Sequence, residues 1–232
     1  MRLKVEQLEC TVGNNRLLRN LSFEVQEQQC LLLTGQNGSG KTTLLRALAG
    51  LLWPTAGSIR WCDIRSSDVY SSEESEANDA RWLPVTGNAN WPLRMLYHGH
   101  ALGWKAELTV AENLQLQLRL DGLIVSQQQQ DAAIAAVGLA PRRHLGFGLL
   151  SAGQRRRLTL ARISLDQRPL WLLDEPTTAL DDAGQQLLAA IIDRHLQQNG
   201  SAIVATHPRL PLRGPVSELN LSAVASALAI GE

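Results

Sequence analysis

Cysteine is scarce in this chain and is not arranged in pairs. Cys10, Cys30 and Cys62 are widely spaced and odd in number. No C-x-x-C occurs, which excludes a disulfide framework and a zinc knuckle as organising devices and leaves buried, reduced thiols of a cytosolic protein as the expectation. An excess of charge of either sign is also missing. Twenty-two Lys and Arg balance twenty-two Asp and Glu, so no general electrostatic pull toward nucleic acid or an anionic bilayer exists. No apolar run approaches the roughly 20 residues that span a membrane. The opening Met1-Arg2-Leu3-Lys4-Val5-Glu6 alternates apolar and charged residues and holds no signal-peptide core. A membrane role would therefore need a separate membrane-embedded subunit. Internal repeats, a heptad block and a C-x-x-C-H haem-attachment motif are absent as well.

What is there is a regular alternation. Residues 2–10 and 21–26 read as strands around the turn Gly13-Asn14-Asn15. Residues 30–34 form a short, continuously apolar run, as in the middle of a covered sheet. A glycine-rich loop over 35–40 leads into 41–51, where Leu44, Leu45, Leu48 and Leu51 recur at helical spacing until Pro54 and Gly57 stop the element. Residues 66–92 are acidic, serine-rich and then asparagine-rich, which predicts a long polar surface loop. A strand at 95–98 follows, then helices at 109–120, 126–137 (with Ser126 and Gln129 spaced as a capping box) and 151–166. Strands at 170–173, 202–205 and 217–221, with a helix over 182–198, complete the pattern. The whole reads as one domain, an α/β core with a helical subdomain at about 101–165 inserted into it.

Gly35-Gln36-Asn37-Gly38-Ser39-Gly40-Lys41-Thr42 matches G-x-x-x-x-G-K-[ST] throughout, and it sits between a strand and a helix as that motif requires. Its amides, with the following helix N-terminus from Lys41 through Thr43, suit phosphate oxygens. Lys41 supplies a point charge for the terminal phosphates and Thr42 a hydroxyl for Mg²⁺, so ATP and Mg²⁺ are the expected ligands. Asp174 and Glu175 end an apolar strand. Asp174 is placed to hold the metal, and Glu175 to take a proton from attacking water. Lys41 and Asp174 are 133 positions apart, more than the usual gap in small GTPases and nucleotide kinases, and the helical block fills that interval.

Leu150-Ser151-Ala152-Gly153-Gln154 opens the 151–166 helix. It resembles the LSGGQ signature of ABC ATPases, with Ala152 where glycine is often found. Thr178-Ala179-Leu180-Asp181 resembles that family's D-loop, and Thr206-His207 its switch histidine, all in the family's order. The resemblance implies a P-loop NTPase (RecA-like) core with an N-terminal antiparallel β portion. It also implies a head-to-tail dimer with ATP held between one chain's phosphate loop and the other's Ser151, Ala152, Gly153 and Gln154. Glu175 would be the general base, and His207 would contact the γ-phosphate. A physical expectation points the same way: a helix from 153 to 166 runs about 20 Å and would carry its N-terminus well away from the Asp174 strand.

A narrower resemblance is carried by His98-Gly99-His100 and Gly103-Trp104-Lys105-Ala106-Glu107-Leu108-Thr109-Val110-Ala111-Glu112-Asn113-Leu114, together with 150–158 and 170–176. These are similar to the CcmA family, the ATPase subunits of bacterial cytochrome c maturation. The resemblance implies membrane permease subunits of the CcmB and CcmC type as partners, a task in haem export or handling, and a peripheral place on the cytoplasmic face of the inner membrane. It puts His100 where most ABC ATPases carry a glutamine near the metal's water shell. Residues 102–107 are the expected contact with the membrane partner, because that segment joins the nucleotide site to the helical block. The chain departs from the pattern at Val12, where no aromatic residue offers a platform for adenine, though Arg16 could lie over the base. Thr177-Thr178 also stands where an aromatic and a threonine are commoner. His98, His100 and His144 read as polar or nucleotide-side residues rather than iron ligands. The six Trp read as packing or interface anchors, and Arg155-Arg156-Arg157 as a solvated helix face rather than a nucleic-acid patch. The alternatives to a cytochrome-linked transporter are an ABC ATPase serving another substrate, a soluble ABC protein acting on ribosomes or DNA, and a catalytically dead binding module.

Overall fold

The computed structural model describes residues 1–63, 82–99, 103–207 and 210–222. Two sheets share the work. The first is antiparallel, in the order β2 (Asn15–Val25), β1 (Arg2–Val12), β4 (Ala56–Cys62), β5 (Leu83–Pro84). The second is parallel, in the order β6 (Met95–His98), β7 (Leu170–Asp174), β8 (Ser201–Ala205), β3 (Cys30–Thr34), β9 (Val216–Asn220).

The parallel sheet is covered on both faces, which explains its continuously apolar strands. Successive residues point to opposite sides. Leu31, Leu33, Leu170, Leu172, Ile203 and Ala205 join a core with the antiparallel sheet and helix α1 (Lys41–Leu48). Cys30, Leu32, Trp171, Leu173, Ala202 and Val204 join a second core with the helical block: α2 (Val110–Leu120), α3 (Gln127–Ala136) and α4 (Ala152–Ser164), together with α5 (Asp182–Gln197). Cys10, Cys30 and Cys62 are free and buried, and burial pushes the Cys30 thiol up to about 12, so it stays protonated and inert. Among the described residues no helix is long and apolar enough to cross a membrane.

Three expectations need correction. Strand β4 had no counterpart in the sequence pattern, because Gly57 reads as a breaker. Gly57 instead sits inside the strand at φ 84°, where an added Cβ would come within 2.3 Å of the Gln7 carbonyl oxygen. It lies at a bulge, where the β1–β4 register shifts between Glu6 and Glu9, and there it permits close backbone approach rather than ending the sheet. Helix α1 stops at Leu48, one turn short of the apolar periodicity. The stretch 66–92 is not all surface loop. Residues 66–81 lie outside the described residues, but β5 pairs with β4, and Val85 and Trp91 are buried. Trp91 donates its indole N–H to the Leu48 carbonyl at 2.9 Å and leans on Trp61 with ring centroids 5.6 Å apart. An aromatic anchor thus follows the polar residues and outweighs them.

Candidate active site

The parallel strands β3, β7 and β8 deliver the site at their carboxyl ends, the usual place for a ligand in an open α/β sheet. Beyond β3, the loop 35–40 turns into α1 through Gly40, which is left-handed at φ 97° and caps the helix without a side chain. A Cβ there would press to 2.8 Å from Leu18 Cδ2, so only glycine lets the loop pack under β2. No side chain therefore competes for the first-turn amides, which stay available to an anion. Lys41 is buried, its Nζ donating to the carbonyls of Gly35 at 2.8 Å and Gln36 at 3.0 Å. The ammonium is folded along the loop it would complete. Ser39 Oγ is buried with no hydrogen-bond partner, a polar atom suited to a phosphate oxygen. Gln36 donates its amide to Ser222 Oγ at 2.9 Å.

At the end of β7, Asp174 is 2% exposed. Its Oδ1 accepts from Thr42 Oγ1 at 3.2 Å, while Oδ2 is buried and has no partner. An orphaned carboxylate oxygen beside a hydroxyl is costly alone and fits a hard divalent cation, which takes such oxygens. Thr42 and Asp174 can supply two ligands to that ion. Glu175 follows with its backbone left-handed at φ 48°, a strained setting for a residue with a side chain. Its N–H donates to the Ala205 carbonyl at 2.9 Å. Its carboxylate lies 3.6 Å from His207 Nε2, with Thr178 Oγ1 3.5 Å from the other oxygen. The structure thus brings Lys41, Thr42, Asp174, Glu175 and His207 to one end of the sheet. Thr177, two residues after Glu175, and Thr206, immediately before His207, share a buried hydroxyl contact at 3.2 Å. His100 lies outside the described residues.

The signature segment is arranged differently. Ser151 Oγ accepts from the Gln154 amide at 3.2 Å, and Gln154 Oε1 accepts from the Ser151 amide at 3.1 Å, a full capping box. Ser151 and Ala152 are exposed. Among the described residues no hydrogen bond or ion pair joins 151–154 to 35–43. A Cβ at Gly153 would lie 3.4 Å from the Ala179 carbonyl, and Arg157 pairs with Asp181 at 3.1 Å. The first turns of α4 therefore approach the segment that follows Glu175.

Arg155-Arg156-Arg157 is not a solvated face. Arg156 is 6% exposed, donating Nε–H to the Pro176 carbonyl at 3.0 Å and Nη2–H to the Glu175 carbonyl. Arg155 donates to the Gly148 carbonyl at 2.8 Å and lies over the Phe147 ring. Three consecutive arginines point to three sides of a helix, and only packing shows which side is inward. His98 is buried 3.5 Å from Arg156. Burial first, then the nearby Arg156 and Arg162, hold its imidazole down to about 3, so it is neutral. His144 is exposed. Asn113 is wholly buried, and its amide spans the carbonyls of Lys105, Leu108 and Thr109 while accepting from the Lys105 amide. It pins the segment leading into α2, a role the E-N-L spelling alone does not reveal. Near the expected adenine position Val12 is 47% exposed, and Arg16 pairs with Glu9 at 2.6 Å.

A family model described as ABC transporter matches residues 18–178. The chain is 38% identical over 201 residues to the "Cytochrome c biogenesis ATP-binding export protein CcmA" of Pseudomonas aeruginosa, covering 87% of this chain and 90% of that protein. It is 40% identical over 220 residues to the protein of the same name from Dechloromonas aromatica, covering 94% and 99%. Among solved structures, an ABC transporter ATP-binding protein from Pyrococcus furiosus superposes with a TM-score of 0.75 at 22% identity, covering 96% of this chain and 98% of the other. That last likeness speaks for the fold.

Proposed function

The chain belongs to the ABC transporter ATP-binding family, and from that premise we propose that it is the ATP-hydrolysing subunit of an export assembly for cytochrome c biogenesis, concerned with haem. It works as a head-to-tail dimer under membrane permease subunits of the CcmB and CcmC type, peripheral to the cytoplasmic face of a bacterial inner membrane. The identity sustained along nearly the whole chain with relatives named for cytochrome c biogenesis is the observation that carries this proposal. One domain holds the machinery, with the helical part at about 101–165 facing the partner and residues 102–107 touching it.

In this reading the loop amides from Gln36 through Thr43 and the Lys41 ammonium hold the β- and γ-phosphates of ATP. Thr42 and Asp174 would hold Mg²⁺, and His100 is a further candidate to support that ion. The ion would neutralise charge building on the phosphate oxygens. Glu175 accepts a proton from the attacking water as its oxygen bonds to the γ-phosphorus. The bond to the β-phosphate oxygen breaks, giving ADP and phosphate. His207, beside Glu175, orients that water and contacts the γ-phosphate. Ser151 and the amides of Ala152 and Gly153 meet the γ-phosphate of the other copy, since Ser151 keeps its O–H free to donate while its oxygen caps α4.

Glu175→Gln tests the chemistry and the dimer together. Turnover should fall about 10²- to 10⁴-fold, while saturating ATP holds two copies together in light scattering. A variant that stays monomeric with ATP removes the head-to-tail arrangement. Isolation from detergent-solubilised membranes should yield the permease subunits with bound haem pigment. Recovery with permeases for another substrate would reassign the transporter and leave the ATPase standing.

A further inference from the structure

We propose that Arg156 is a positioning residue for the general base, a strut by which the signature helix holds Glu175 in its left-handed backbone. The inference rests on the ATP-hydrolysing reading above and adds a residue to it. Glu175 is held from both sides. Its N–H is fixed to the Ala205 carbonyl at the end of β8, and its C=O accepts from Arg156 Nη2. The same guanidinium reaches the next carbonyl, Pro176, through Nε at 3.0 Å. A planar fork on two successive carbonyls fixes the peptide plane between them. That plane sets the Cα–Cβ direction of Glu175, and hence the 3.6 Å approach of its carboxylate to His207.

The third corner of the guanidinium, Nη1, faces His98 Nε2 at 3.5 Å. A neutral imidazole can accept there, whereas a second cation could not. His98 ends β6, immediately before the segment that continues toward α2. Arg156 itself lies in the second turn of α4, whose first turn carries Ser151, Ala152 and Gly153. One buried side chain therefore touches the element that meets the other copy's nucleotide, the strand that leads to the helical block, and the backbone of the catalytic carboxylate. Displacement of α4 would be passed to Glu175 through Arg156.

The test is steady-state ATP hydrolysis against ATP concentration for wild type, Glu175→Gln, Arg156→Gln, Arg156→Lys and His98→Leu, each with a thermal melt. Arg156→Gln should lower kcat about tenfold or more, since misplacing a reacting group by an ångström can cost up to about 10². The KM for ATP should stay within about threefold, because the phosphate loop is not touched. Arg156→Lys should fail to restore kcat, as an ammonium cannot fork across two carbonyls. His98→Leu should lower kcat about threefold at unchanged KM. A folded Arg156→Gln protein with kcat within about twofold of wild type, or full rescue by lysine, overturns the strut. If Arg156→Gln does not fold, His98→Leu decides: wild-type kcat there overturns the proposal. Wild-type protein without turnover overturns the enzymatic reading and this one together. Inactive Glu175→Gln beside fully active Arg156→Gln overturns this one alone.

Discussion

The phosphate-loop end and the signature end of this molecule are both helix N-termini, and they are built in opposite ways. Lys41 and Asp174 are buried and Thr42 half-buried, with Thr42 and Asp174 linked across 132 residues of chain, and Asp174 Oδ2 and Ser39 Oγ are left without partners. Around Ser151 the polar groups satisfy one another in a local capping box, with Ser151 exposed and Gln154 half-buried. Burying a polar atom without a partner is costly, so the first end is structured for a ligand. The second is stable by itself and offers its remaining donors outward. That contrast is compatible with the proposed site divided between two copies.

The largest effect is expected when the two ends are inactivated on different chains. Lys41→Ala and Gly153→Asp should each be inactive alone. Mixed in equal amounts they should recover about a quarter of wild-type turnover, because half the dimers are mixed and each has one intact composite site under two-fold symmetry. No recovery in a coupled phosphate-release assay would mean that each chain works by itself. Asp174→Asn comes next. It should lower Mg²⁺-dependent turnover on the order of 10²-fold or more through the lost cation ligand, and calorimetry with Mg²⁺ and ATP should show weakened metal binding.

A smaller effect sharpens the contrast between buried and exposed groups. His195 stacks on Trp171 with centroids 3.7 Å apart, and burial, the leading cause, holds it down to about 4. Below the ordinary histidine range the unfolded chain takes up a proton that the folded one refuses. Stability is therefore full above pH 6.5 and falls as pH drops toward 4, by on the order of 1–3 kcal/mol for this group. Melts from pH 7 to 4 should show that loss, and His195→Gln should flatten the slope. The smallest effect belongs to Ser151→Ala. Loss of the α4 cap should cost about 1 kcal/mol, a drop of about 2–4 °C in Tm, with turnover reduced further than that small destabilisation explains.

The segments differ in how much of them the sequence revealed. Elements whose reason is local were legible, including β3, β7 and β8 from their apolar runs and α3 from Ser126 and Gln129. β4 was not, because Gly57 is required by the Gln7 carbonyl 50 positions away in sequence, a contact no local pattern records. The site divides the same way. Lys41, Thr42, Asp174 and Glu175 follow from motif spelling, since phosphate and metal chemistry demand those groups at those spacings. Arg156 and Asn113 did not, because their work is done on backbone carbonyls, and any residue supplies a carbonyl.

Residue order alone made the candidate chemistry legible: a phosphate loop, two carboxylates at a strand end, a signature-like segment opening a helix and no bilayer-spanning run. Tertiary structure alone decided the company each group keeps. It turned one of three consecutive arginines inward onto Glu175, brought His207 within 3.6 Å of that carboxylate, and left Asp174 Oδ2 buried without a partner. The physical reason is that composition and spacing specify which bonds a side chain can make. Which of them it makes depends on distances between segments far apart in the chain, and those are set only when the two cores close around the parallel sheet.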